Sequence, residues 1–127
     1  MPSLSRQFGD IGEQQAESFL VENGYRIKDK NYRVKNLGEI DIVGERKGKL
    51  HFFEVKTRDV KHETTFPIEF SINNKKRRNL RRVCQIYLSE HQYHPNQEWQ
   101  VDALFVRSNP ERFEIDLLEN ILWEEYY

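Results

Sequence analysis

Two short runs carry residue types that can do chemistry together: Gly38-Glu39-Ile40-Asp41-Ile42-Val43 and, one turn later, Phe53-Glu54-Val55-Lys56-Thr57-Arg58. Both alternate charged and apolar residues, the period of a strand. Between them, Arg46-Lys47-Gly48-Lys49 reads as a tight turn. With Lys47 and Gly48 at its centre, Asp41 falls opposite Glu54, and Glu39 opposite Lys56. Alternation then sends these four side chains to one face, with Val43 and Phe52. Ile40, Ile42, Phe53 and Val55 go to the other, the expected core face. Carboxylates roughly 5 Å apart repel by about 3 kcal/mol at an effective dielectric near 20. Either one keeps its proton or a cation joins them. A hard divalent ion, Mg2+ or Mn2+, suits such a pair, completed by waters and a substrate phosphate, with the Lys56 ammonium alongside. The same charges could instead form a cross-strand ladder of ion pairs, and a one-residue bulge would change the facing.

These strands need a scaffold, and 127 residues suffice for one domain, residues 1–127. Residues 4–23 read as a helix whose inward side holds Phe8, Gly12, Gln15, Ala16, Phe19 and Leu20, with Asn23-Gly24 as its stop. Strands follow at 25–34, 39–45 and 50–57. Residues 58–72 read as a loop, and 74–91 as a helix with Leu80, Val83, Cys84, Tyr87 and Leu88 as its apolar stripe. Strands at 99–107 and 112–118 and a short helix at 120–126 complete the chain. The order αβββαββ is that of an α+β fold, an α/β sandwich with a mixed central sheet flanked by helices.

Charge is segregated, although the net value is only −1. Residues 73–83 hold six basic residues and no acidic one, whereas 111–127 hold six acidic residues and one arginine. Lys75, Arg78 and Arg82 fall opposite the apolar stripe of that helix. Lys76 falls within the stripe, one turn before Leu80, from which its ammonium reaches the sheet edge or snorkels to solvent. Cations in a first helical turn oppose the helix dipole, a cost that a bound phosphate reverses. The single cysteine, Cys84, excludes a disulfide framework and a cysteine zinc cluster. No apolar run approaches the roughly 20 residues of a membrane helix, and the N-terminus lacks an apolar signal core, so the expected location is cytoplasmic, with no membrane partner.

The two strand runs, in order with Gly12-Glu13 and Ala16, Gly24-Tyr25-Arg26-Ile27, Asn31-Tyr32-Arg33, Lys76, Leu80, Tyr87-Leu88 and Val101-Asp102, resemble the YraN-type family of uncharacterised bacterial proteins. That family is similar to Holliday-junction resolvases and other PD-(D/E)xK nucleases. The resemblance implies a restriction-endonuclease-like fold and metal-dependent hydrolysis of DNA, branched or flapped forms included. It makes Asp41 and Glu54 metal ligands together with the Val55 carbonyl. Lys56 would orient the attacking water or oppose developing charge, and Glu13 would supply a further carboxylate unless it is a surface residue. Glu39 belongs to the motif and, opposite Lys56, would hold that lysine. The expected nucleic-acid contacts are Lys75, Lys76, Arg77, Arg78, Arg81, Arg82 and Arg58. The chain departs from the family pattern at His62-Glu63-Thr64-Thr65-Phe66-Pro67, where a glycine-containing stretch is expected. A module that binds nucleic acid without cutting it is the alternative function. The tail residues Ile121, Leu122, Trp123, Tyr126 and Tyr127 could supply a homodimer contact.

Overall fold

The computed structural model describes the backbone of residues 4–59, 73–108 and 113–122. Helix α1 (Leu4–Glu22) is followed by strands β1 (Arg26–Val34), β2 (Gly38–Arg46) and β3 (Lys49–Asp59). Helix α2 (Asn74–Glu90) and strands β4 (Trp99–Ser108) and β5 (Phe113–Leu118) follow. The strands form one sheet in chain order, antiparallel except that β3 and β4 run parallel. A parallel pair needs a crossover, and α2 lies within it. Arg58 and residue 59 extend β3, where the sequence suggested loop. Residues 60–72, with the atypical stretch at 62–67, lie outside the described residues. The expected terminal helix is a turn as far as it is described, to Leu122.

Both faces of the sheet are core. On one, Leu80, Val83, Cys84 and Tyr87 of α2 pack on Ile40, Val43, Leu50, Phe52, Val101, Ala103 and Phe105. On the other, Ala16 and Leu20 of α1 pack on Tyr25, Ile42, Phe53, Leu104 and Val106. Gln15, expected inward, is exposed, and the Phe8 side chain lies outside the described residues. Ile121 and Leu122 are buried in the α2-side core, and Ile121 N donates to Val101 O at 2.8 Å. Those two residues therefore serve this chain's own core; Trp123, Tyr126 and Tyr127 lie outside the described residues. No helix among the described residues is long and apolar enough to cross a membrane.

Local chemistry explains the register. Lys47 (φ 53°) and Gly48 (φ 76°) both take positive φ, the two-residue turn that matches strand twist. It sets Ile42 against Phe53 and Arg46 against Lys49, the register read from the sequence. Helix α2 starts at Asn73, whose side chain accepts the Lys76 N–H at 2.8 Å. Helix α1 lies close on β3 because residue 12 is glycine. A Cβ there would come within 2.7 Å of Thr57 Cγ2 and nearer still to Thr57 Oγ1.

A buried polar tie joins the strands where β3 and β4 begin. Asp102 Oδ2 meets His51 Nδ1 at 2.8 Å, and Asp102 Oδ1 accepts from Gln100 Nε2 at 2.7 Å and Asn120 N at 2.9 Å. Asp102 is fully buried, so each of these groups would lose its partner in a dry site if the carboxylate were removed. Asp102→Ala should cost about 3 kcal/mol of stability, the scale of a broken buried charged network. Urea unfolding measures this, and a loss under about 1 kcal/mol would mean that water replaces the carboxylate.

Candidate metal and phosphate site

The sheet opens at Asp41. The β2–β3 ladder runs from Arg46↔Lys49 to Ile42↔Phe53 and stops there, so Asp41 and Glu54 are not the directly paired residues that the turn predicts. In place of a strand partner, the Val55 N–H donates to Asp41 Oδ2 at 2.7 Å. On the other side, β1 pairs Lys30 with Ile42 and Tyr32 with Ile40, leaving out Asn31, which has a left-handed φ of 54°. Both strands change facing across this point. Ile40 joins the α2-side core and Ile42 the α1-side core, where unbroken alternation would keep them together. Likewise the Tyr32 ring meets Tyr87 of α2, and Lys30 pairs with Glu17 of α1 at 3.1 Å.

Asp41 therefore sits between the layers and borders two cavities. One, about 460 Å³, is lined by Glu39, Glu54, Lys56 and, from the start of α2, Asn73, Lys75 and Lys76. The other, about 240 Å³, is lined by Asp10, Glu13 and Glu17 of α1 with Lys30 and Asn31. Glu13 borders this second cavity beside Asp41 and acts on it through its charge. Burial is the main cause that pushes Asp41 up to about 7, with Glu13, Glu39 and Glu54 adding repulsion against the Val55 N–H. Glu13 is raised too, first by burial and then by Asp10 and Glu39.

Glu54 has the opposite surroundings. Its Oε1 lies 2.6 Å from Lys76 Nζ and 3.2 Å from Lys56 Nζ, and its side chain is 12% exposed. Its Oε2 is buried with no hydrogen-bond partner among the described residues. Lys56 pairs with Glu54, so the expected hold by Glu39 is replaced. Glu39 is exposed and acts on the site through its charge. The Val55 side chain packs on the α1-side core, as expected of a residue that offers the site only backbone.

The basic helix divides. Lys76 turns to Glu54, whereas Lys75, Arg78 and Arg82 are exposed and Arg81 is half-buried. Arg77 is only 4% exposed and donates to Asn74 Oδ1 at 3.0 Å, which removes it from the expected phosphate contacts. Arg58, exposed near the end of β3, is two residues beyond Lys56 and shares its facing by alternation.

Sequence reasoning missed the His51–Asp102 pair. The signal was there: His51 lies among Leu50, Phe52 and Phe53, and Asp102 between Val101 and Ala103. Ligand-capable atoms of His51, Asp102 and Glu119 lie within 4.8 Å of one another. Both Asp102 oxygens already hold the chain together, however, which fits a structural tie better than a ligand set.

The profile of the Uncharacterised protein family UPF0102 matches residues 12–118. A UPF0102 protein of Aliarcobacter butzleri is 34% identical over 118 residues, covering 93% of this chain and 98% of that protein. One of Alkaliphilus oremlandii is 38% identical over 119 residues, covering 92% and 98%. A third, from Acetivibrio thermocellus, is 45% identical over 83 residues, 65% of this chain and 62% of that protein. The crystal structure of SSO0001 aligns with 93% of this chain and 53% of that chain at 18% identity and a TM-score of 0.35, too low to bear on the fold. With the profile and two near-full-length relatives in agreement, the chain belongs to the UPF0102 family.

Proposed function

We propose that this protein is a metal-dependent phosphodiesterase acting on DNA, with its reaction centre at Asp41, Glu54 and Lys56. One observation carries the reading: where the β2–β3 pairing stops, Asp41 and Glu54 border one cavity with Lys56, Lys76 and the start of α2, and Glu13 lies on the other side of Asp41. Such a place favours a cation and an anion side by side, as a metal-bound phosphodiester requires. The donor set fits a hard divalent ion, Mg2+ or Mn2+. Burial, with repulsion from Glu13, Glu39 and Glu54, pushes Asp41 up to about 7, and the buried Glu54 Oε2 lacks a hydrogen-bond partner. Asp41 and Glu54 would hold the ion, with the Val55 carbonyl available between them and Glu13 behind Asp41. The ion would supply Lewis acidity toward the phosphate and make a bound water more acidic.

The chain's own groups do the rest. The Val55 N–H fixes the Asp41 carboxylate, so little reorganisation is needed when its proton leaves. The Lys56 ammonium, set beside Glu54, opposes the charge that builds on the phosphate oxygens. The exposed Lys75, Arg78, Arg82 and Arg58 give a duplex or branched strand a cationic approach.

Lys56 distinguishes hydrolysis from binding alone. With pure protein and Mg2+ or Mn2+, single-turnover assays on single-stranded, duplex, flap and four-way DNA should show cleavage of at least one substrate. Lys56→Ala should lower that rate roughly 100- to 1000-fold, yet bind DNA in Ca2+ within about threefold of wild type. Absence of metal-dependent cleavage by wild type on every substrate would favour the module that only binds. Full activity in Lys56→Ala would move the reaction centre elsewhere.

Approach along α2 is tested by salt. Replacing Arg78 and Arg82 with Ala should flatten the slope of log K against log salt by about two, for all sequences alike. An unchanged slope would put the DNA on another surface.

Asp41 has a consequence for the metal-free protein. Its pKa is about 7 when folded against an ordinary 3.8, so between these values the folded state holds more protons than the unfolded chain. Stability from this group is complete below about pH 4 and declines as pH rises through 7, by up to a few kcal/mol. Asparagine can still accept the Val55 N–H, so Asp41→Asn should keep the fold and lose this decline. Urea titrations at pH 5 and pH 8 measure the difference, and equal pH dependence in the two proteins would refute it.

A further inference from the structure

The closest charged contact in the site belongs to a residue with no part in the reaction as described: Lys76. Its ammonium is 2.6 Å from Glu54 Oε1, nearer than that of Lys56, and it comes from the other layer of the fold. The position is built. Lys76 N–H is bound by the Asn73 side chain, which fixes where the stem leaves α2. Its neighbours Lys75 and Arg78 point outward, and Leu80, one turn on, is buried. The Lys76 side chain is 40% exposed and borders the 460 Å³ cavity, so its ammonium can leave Glu54 for that space without crossing the core.

We propose that Lys76 is a displaceable counter-ion of Glu54, and that a divalent cation taking Glu54 releases the Lys76 ammonium to bind a DNA phosphate in the adjoining cavity. This rests on the reading of Asp41 and Glu54 as a divalent-cation site. The reason is charge. While the cation is absent, Lys76 neutralises a carboxylate that is mostly buried. A dication on the same carboxylate stands a few ångströms from that ammonium, and the two repel strongly in a partly dry site. Lys56 is tied to the same strand as Glu54, two residues away. Lys76 has a flexible four-carbon stem on a separate element and an open cavity beside it, so Lys76 is the one to move. The ammonium then finds an anion-favouring place already made by the N-terminus of α2 and Lys75. Cation and DNA binding become positively coupled, and reciprocally so. The site is closed to phosphate on its Lys76 side until the ion that performs the reaction is present.

The test uses the full chain with Mn2+ alone, and then a short DNA duplex with and without Ca2+. By calorimetry, Lys76→Met should bind Mn2+ about tenfold more tightly than wild type, because no ammonium has to be displaced. Lys75→Met removes the same charge from the same turn without touching Glu54, and should shift Mn2+ affinity by about twofold at most. Without divalent cations, Lys76→Met should bind the duplex as wild type does. In Ca2+ its affinity should fall about tenfold below wild type, since only then does Lys76 reach phosphate. A purely structural lysine, or a permanent phosphate contact, would lower DNA binding equally in both conditions, and that result would overturn the proposal. So would Mn2+ affinity unchanged in Lys76→Met, or raised equally in Lys75→Met. Lys76→Gln, which keeps a polar side chain, carries the same expectations should the methionine variant fold poorly. Wild type that binds Mn2+ with Lys76→Met indistinguishable from it defeats this inference alone. Wild type that binds neither Mn2+ nor Ca2+ defeats the reading of the metal site as well.

Discussion

The 2.7 Å bond from the Val55 N–H to the Asp41 carboxylate is the contact on which the site depends. A buried backbone N–H must find an acceptor, and an antiparallel partner would normally provide one. Here the ladder has ended at Ile42↔Phe53, and a side chain takes the place of the missing carbonyl. That substitution does two things at once. It closes the sheet's hydrogen bonding across the gap, and it brings a carboxylate beside Glu54 and Lys56. Asp41 consequently sits where burial and three acidic neighbours oppose its charge, and its raised pKa measures that opposition. The fold is completed with a group that is uncomfortable without a cation.

The two helices then act as opposite electrodes. Helix α1 comes close to β3 because Gly12 has no side chain to strike Thr57, and this brings Asp10, Glu13 and Glu17 up to one side of Asp41. Helix α2 brings Asn73, Lys75 and Lys76 up to the other side. A larger residue at position 12 would move the acidic wall outward while leaving the basic one in place. The basic run at the start of α2 and the acidic residues of α1 thus face Asp41 from opposite sides of the sheet. The net charge of −1, a sum over the whole chain, does not reveal this local arrangement.

Legibility in the sequence followed the range of the interactions. The β2–β3 register could be read because a two-residue turn ending in glycine fixes it locally. Both helices were readable from their stripes, and Lys76 stood out as a cation on an apolar face. The strand break was not readable. It depends on Asn31 adopting φ 54° opposite Asp41, and asparagine does this only where tertiary contacts reward it. Without the break, the turn predicts a directly opposed Asp41–Glu54 pair and one face for Ile40 and Ile42, and both expectations fail. Arg77 was misplaced for a related reason. It was counted with its basic neighbours in the run, whereas packing buries it and Asn74 supplies a partner that makes its burial tolerable. The polar tie of His51 and Asp102 joins residues 51 apart in sequence, so local pattern marks each as a polar residue in an apolar run but does not pair them.

The two polar clusters differ in how fully their groups are satisfied. Around Asp102, every oxygen has a partner at 2.7–2.9 Å, and the carboxylate is fully buried. A ligand arriving there would have to break bonds that hold β3, β4 and the chain after β5 together. Around Glu54 and Asp41 the satisfaction is incomplete in a particular way. One oxygen of Glu54 has two ammonium neighbours and the other lacks a hydrogen-bond partner, while burial and nearby carboxylates push the Asp41 carboxyl up to about 7. Lysines and protons are both exchangeable with solvent across an open cavity, so this cluster can change partners without disturbing the fold. A site that must receive an ion and a phosphate needs that property, because pre-formed geometry is useful only where the occupying groups can leave. The fully satisfied network gives rigidity; the partly satisfied one, set on the same strand three residues further along, can change partners, as the proposed reaction would require.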